Sequence, residues 1–199
     1  ETELAKQQLP AEGVLKFIGE SHPLEGSGSK AESFLPTNNV YIPIDKAKWI
    51  NNKYLSPQDS ILDQLPLSLG VKEQGDYILK GDLAVMDIIA SNINDRPIYF
   101  SVTADPTKFL GLNNYMQLEG LALRIVPVRS NSDRQFGVFG AGRVQADKLY
   151  DNVMNKFRWG NFDKKKLFVD RSYTPTVNAL LMIKLRAAYD MISKGDKKR

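Results

Sequence analysis

The stretch that most constrains the fold is Arg96–Val128, RPIYFSVTADPTKFLGLNNYMQLEGLALRIVPV. Two apolar, β-prone runs, Pro97–Val102 and Leu121–Val128, bracket a polar segment in which Tyr115, Gln117 and Glu119 alternate with other residues. Aromatic and β-branched residues at this density favour extended chain. Asn114–Leu118 between them is expected to be a short helical piece that stops at Gly120. The whole reads as strand, turn, short helix, strand, a unit that buries its strands and presents polar side chains at their ends. Just upstream, Leu83–Asn92 carries Leu83, Val85, Met86, Ile88 and Ile89 around most of its surface, which predicts a largely buried helix. Asp82 is placed at its N-cap. Helix, tight turn and buried strand in that order are half of a parallel α/β unit.

Weaker elements flank this centre. Glu12–Glu20 is a short amphipathic helix by its Val14, Leu15, Phe17 and Ile18, and His22–Lys30 reads as a flexible Gly/Ser loop. Val40–Ile44 is a strand whose Pro43 suits a strand end or a sheet edge. Asp45 caps a helix containing Ala47, Trp49 and Ile50. Ser56–Asp59 has the Ser, Pro and Asp of a helix start. Leu65–Val71 is a short strand that Tyr77–Leu79 continues or pairs. Ala146–Phe157 is a helix with Leu149, Val153, Met154 and Phe157 on one stripe, and Thr176–Ile192 is a long closing helix whose core-facing set includes Leu181, Ile183, Leu185 and Ile192.

The fold class expected is α/β, or α+β, in one domain. A small mixed sheet of about three to five strands takes in Val40–Ile44, Pro97–Val102 and Leu121–Val128, is flanked by helices, and is followed by a helical C-terminal part. Ile88, Ile89, Ile98, Phe100, Leu123, Ile125 and Leu181 are expected in the core. Residues 1–39 form a loosely packed N-terminal helix and flexible loop, 40–145 the α/β core, and 146–199 the helical C-terminal part of the same domain.

A chain of 199 residues, 42% of them hydrophobic, is enough for one core. No apolar run approaches the roughly 20 residues that span a bilayer. The chain opens on ETELAKQQLP, without Met and without an apolar signal region, so a segment of a longer protein is expected. The absence of cysteine excludes disulfides, thiolate metal sites and cysteine nucleophiles, and a single histidine, His22, excludes a multi-histidine metal site. Charge is uneven: from Asp147 onward there are thirteen Lys and Arg against six Asp, a net of +7 within an overall +4. A basic end of this kind could touch nucleic acid or an anionic membrane surface, but it is read as a solvated helix and a frayed end, and no nucleic-acid partner is expected.

No side-chain set carries recognisable catalysis. Gly137–Gly142, GVFGAG, follows a loop and not a buried strand, so it lacks the context of a dinucleotide fingerprint and reads as a mobile linker. No pair of carboxylates has a spacing that suggests acid–base work. Glu119 and Arg124 are either a buried structural pair or, with Tyr115 and Gln117, a polar cluster able to bind sugar hydroxyls or peptide amides. Phe157, Arg158 and Trp159 form an aromatic and cationic group at a helix end, either docked on the core or stacking on a sugar. The candidate binding residues are therefore Tyr115, Gln117, Glu119, Arg124 and Trp159, with no catalytic residue, metal or cofactor.

Four segments, GDLAVMDIIASNINDRPIYFSVT, GLNNYMQLEGLALRIVPV, LYDNVMNKFRWGN and LMIKLRAAYDMI, occur in that order. Together they resemble the soluble C-terminal region of a bacterial family of multi-spanning membrane proteins of unassigned function. That family is similar to protein O-mannosyltransferases in the C-type glycosyltransferase superfamily. The resemblance covers about Val40 to Ile192, with the RPIYF and YMQLEGLALRIVP pieces the most specific. In that superfamily the catalytic acid and the lipid-linked donor belong to the membrane domain. The resemblance thus implies a non-catalytic accessory domain on the periplasmic or other extracytoplasmic face of a bacterial inner membrane. Its partners would be the membrane domain of the same polypeptide and an acceptor polypeptide or glycan. No catalytic residue of the family transfers to this chain.

Overall fold

The computed structural model describes residues 7–20, 34–69, 78–158, 160–161, 164–166, 168 and 170–195. The loop expected at His22–Lys30, the residues Val71 and Tyr77, and the basic end Lys197–Arg199 lie outside them. The class is α/β, with two small sheets and a helical C-terminal part. The strands expected in one sheet are divided between two, one in each of two compact units. The first unit comprises Glu1–Ile98 with Thr107–Leu112, the second Tyr99–Pro106 with Asn113–Arg199.

In the first unit, β1 (Leu9–Pro10) runs parallel to β2 (Val40–Pro43), and β2 pairs antiparallel with β3 (Gln64–Leu67). Side chains alternate across a strand, so the register pairs Val40 with Leu67 and Ile42 with Leu65 on one face, and all four are buried. Pro43 ends β2, where its missing N–H costs no ladder bond. Helix α1 (Ala11–Gly19) packs on β2 through Ala11 and Val14. Asp45 caps α2 (Lys46–Asn51) as expected, its carboxylate accepting the Lys48 N–H at 3.1 Å, and Trp49 is buried. Ser56–Asp59 forms a turn and not a helix start: the Asp59 carboxylate accepts the Ser56 N–H at 2.8 Å, an arrangement short polar side chains favour in turns.

Helix α3 spans Lys80–Asn92, so it begins before the expected cap. Asp82 stands inside its first turn, buried, and faces Lys108 Nζ at 3.1 Å instead of capping. Met86 and Ile89 are buried while Ile88 is exposed, so α3 is one-sided and not wholly buried. Apolar residues at nearly every position do not indicate which stripe the core takes. Ile98 is only half-buried. Phe109, Leu110 and Leu112 enter the core of this unit, held by a 2.8 Å bond from the Ser68 N–H to the Leu110 carbonyl. Gly111 makes the approach possible: at φ 77°, any Cβ would lie 2.7 Å from Ser68 Cβ.

In the second unit the strand order is β4 (Tyr99–Ser101), β6 (Ala122–Ile125), β5 (Met116–Leu118), β7 (Arg143–Val144). β4, β6 and β5 are antiparallel neighbours, and β7 alone runs parallel, to β5. The helix–turn–strand run from α3 into β4 is therefore not half of a parallel unit. Met116–Leu118 is a strand where a helical piece was expected: residues 115–119 alternate with period two, and the Asn pair before them belongs to a 3-10 turn. Met116, Leu118, Leu123 and Ile125 are fully buried on one face, while Phe100 is half-buried at the β4 edge.

Of Gly137–Gly142, expected to be a mobile linker, Gly137 is exposed but Gly140, Ala141 and Gly142 are buried and packed. A Cβ on Gly140 would sit 1.8 Å from the Asp133 carbonyl oxygen, and one on Gly142, at φ 60°, 2.0 Å from that of Met116. Helix α4 (Ala146–Asp151) runs into a π turn at Asn152–Lys156, where an α-helix to Phe157 was expected. The extra residue buries Val153, turns Met154 to solvent and leaves Phe157 half-buried. Helix α5 (Thr174–Ser193) buries Ala179, Ile183, Arg186, Ala187 and Met191, whereas Leu181, Leu185 and Ile192, expected inside, are exposed. Both faces of α5 are apolar, and the one that packs is the one whose small Ala179 and Ala187 allow close approach. Arg186 is held by Asp133 at 3.3 Å and by the Phe136 ring, 5.1 Å from its guanidinium. Among the described residues no helix is long and apolar enough to cross a membrane.

Candidate functional site

The register of the second sheet sets Tyr99, Arg124, Gln117 and Arg143 side by side across β4, β6, β5 and β7. Directly opposed residues share a face, so a polar row crosses the sheet behind its apolar side. Glu119 extends the row, two residues beyond Gln117 in the β5–β6 turn. That turn is closed by the Glu119 N–H on the Ala122 carbonyl at 3.1 Å. Gly120 holds it at φ 132°, under Phe157 and Asn152.

Hydrogen bonds run along the row in one sense. Arg143 Nε donates to Gln117 Oε1 at 2.7 Å, and Gln117 Nε2 donates to Glu119 Oε1 at 2.7 Å. Arg143 thereby fixes which end of the Gln117 amide faces Glu119. Glu119 Oε2 accepts from Lys148 Nζ at 2.5 Å and from the Tyr99 hydroxyl at 3.1 Å. Arg124 Nη1 lies 3.8 Å from Glu119 Oε1. Asn152, presented by the π turn, donates to the Glu119 backbone carbonyl at 2.5 Å. Gln117, Glu119 and Arg124 are buried; Tyr99 and Lys148 reach solvent.

Burial on its own pushes the Glu119 carboxyl up, but the hydrogen bonds from Lys148 and Gln117 and the charges of Lys148 and Arg124 together hold it below the ordinary range. Burial, and then the facing carboxylate, push the Tyr99 hydroxyl up. Glu119 is thus ionised, with both oxygens engaged. A carboxylate in that state is a weak base and a poor acid near neutrality, but a strong anchor for four chain segments. Among the described residues no group of three or more His, Asp or Glu is placed to hold a metal ion.

Of the residues singled out from the sequence, Gln117, Glu119 and Arg124 come together. Tyr115 stands just before β5, half-buried, its carbonyl accepting the Val126 N–H at 2.8 Å. Trp159 lies outside the described residues. Tyr99, Arg143, Lys148 and Asn152 belong to the cluster and were not anticipated. Tyr99 carried a faint signal as the polar-tipped aromatic of an otherwise apolar strand; the others become neighbours only through strand register and the π turn.

The fold is mixed α/β, and a buried polar row centred on Glu119 crosses its second sheet. The chain belongs to the family of TMEM260-associated domain 2, whose family model matches residues 2–148. The match takes in both sheets and ends before α5. No curated protein and no solved structure matches the chain.

Proposed function

We propose that this chain is a non-catalytic accessory domain of a membrane-bound, O-mannosyltransferase-like glycosyltransferase, carried on the extracytoplasmic face. It works with the membrane domain of its own polypeptide, helping to receive an acceptor polypeptide or glycan or stabilising the parent protein. The observation that carries the reading is membership of a family described by its association with TMEM260. Two features support it. The four ordered segments resemble the C-terminal region of multi-spanning proteins related to protein O-mannosyltransferases. The buried carboxylate of Glu119 has its oxygens committed to Gln117, Lys148, Tyr99 and Arg124, which suits scaffold work.

The test is deletion of the domain from the full-length protein, with glycan transfer measured in membranes at matched protein level. Transfer to a protein acceptor is expected to fall severalfold or more. Transfer at the undeleted rate overturns the reading.

A further inference from the structure

Helix α5 is apolar on two opposite sides. One side packs through Ala179, Ile183, Ala187 and Met191. The other carries Leu181, Leu185, Ala188, Tyr189 and Ile192, with the four large side chains 51%, 57%, 50% and 63% exposed. These positions recur every three or four residues and so form one continuous stripe. No acid lies on it: the nearby Asp190 is turned away to Lys194 Nζ at 2.7 Å. Beside the stripe an apolar groove, lined by Val153, Met154, Ala187, Ala188 and Met191, has Lys184 and Tyr150 as its polar members. The chain leading into α5 adds Lys164, Lys165 and Lys166, then Phe168, 98% exposed, then Arg171 and an exposed Tyr173. A large apolar stripe of this kind marks an interaction surface.

We propose that the exposed face of α5, with the Lys164–Lys166 and Phe168 segment before it, docks on an anionic lipid surface, the helix lying in the interface and not crossing it. Charge complementarity selects this occupant. Lys164, Lys165, Lys166, Arg171 and Lys184 stand exposed in the described part of this region, besides Arg186 and Lys194, which are paired with Asp133 and Asp190. An anionic bilayer supplies headgroup phosphates for the cations and acyl chain for the stripe and groove, while lysine stems let the ammonium groups reach the headgroups. A second copy would set the same cations against each other across an isologous contact. This docking stands on the face itself and does not depend on the glycosyltransferase reading.

The test is flotation of the chain with phosphatidylcholine vesicles and with vesicles that also contain phosphatidylserine. Association is expected with the anionic vesicles, weakening as salt rises. It is expected to fall roughly tenfold in Leu185→Asn/Ile192→Asn, since part of two side-chain burials is lost. Both positions are exposed, so circular dichroism should show the fold unchanged. Lys164→Glu/Lys165→Glu, in a separate segment, should weaken association as well. No association with anionic vesicles overturns the proposal, as does association that the Leu185→Asn/Ile192→Asn variant leaves intact. A dimer seen by sedimentation velocity, abolished by that variant and accompanied by no vesicle association, assigns the face to a second copy and overturns it too.

Discussion

At the residue scale, Glu119 is the side chain on which most of the second unit's polar structure converges. Glu119→Gln keeps the shape and removes the charge, leaving Lys148 and Arg124 beside a neutral amide. A loss of about 2–3 kcal/mol of stability is expected, read by urea unfolding. The pH dependence follows from the same contacts. The folded carboxyl lies below its unfolded value, so its contribution is complete above the unfolded value and is lost as pH falls through the folded one. Acid unfolding curves of Glu119→Gln should therefore be flatter than those of the parent in the carboxylate range, and an equally steep acid limb would count against the assignment. Gly142 is the second residue with little latitude. Alanine there meets the Met116 carbonyl and a left-handed backbone, and a cost of about 3 kcal/mol or more is expected in thermal or urea melts. Glu119 was visible in the sequence as a polar residue in an apolar neighbourhood. Its partners Gln117 and Arg124 were visible with it; Tyr99 and Lys148 were not, because they lie far from it along the chain.

At the scale of elements, short-range signals were legible where one chemical feature decided the outcome. Asp45 is such a case, since an acceptor side chain just before a helical run satisfies an N–H that would otherwise be orphaned. Asp45→Ala should cost about 1 kcal/mol in a thermal melt and shorten α2 by hydrogen exchange, without disturbing the second unit. Elements with apolar residues on several sides were not legible. In α3 and α5 the pattern permits more than one buried stripe, and packing chose Met86 and Ile89 over Ile88, and Ile183 over Leu181. The π turn after α4 was equally hidden, because nothing local in Asn152–Lys156 demands an extra residue. It exists where Asn152 must reach the Glu119 carbonyl, and Asn152→Ala should lose about 1 kcal/mol and expose Phe157.

At the scale of the molecule, neither compact unit is one continuous stretch of chain. The first borrows Thr107–Leu112 from beyond β4, and with it Phe109 and Leu112, both fully buried. Phe109→Ala is expected to cost about 3–5 kcal/mol. A fragment ending at Ile98, lacking both side chains, should lose cooperative unfolding, followed by circular dichroism. A sharp two-state melt of that fragment would show that the borrowed segment is dispensable.

The sequence by itself determined the class, the two apolar runs of Arg96–Val128 that hold β4 and β6, and the concentration of polar residues around Glu119. These follow from composition and period, which act over a few residues. Only the tertiary structure decided that the strands divide between two sheets, that a polar row crosses four strands, and which faces of α3 and α5 turn inward. Register and face are choices among packings of nearly equal local merit, and they are settled by contacts between residues far apart in the chain.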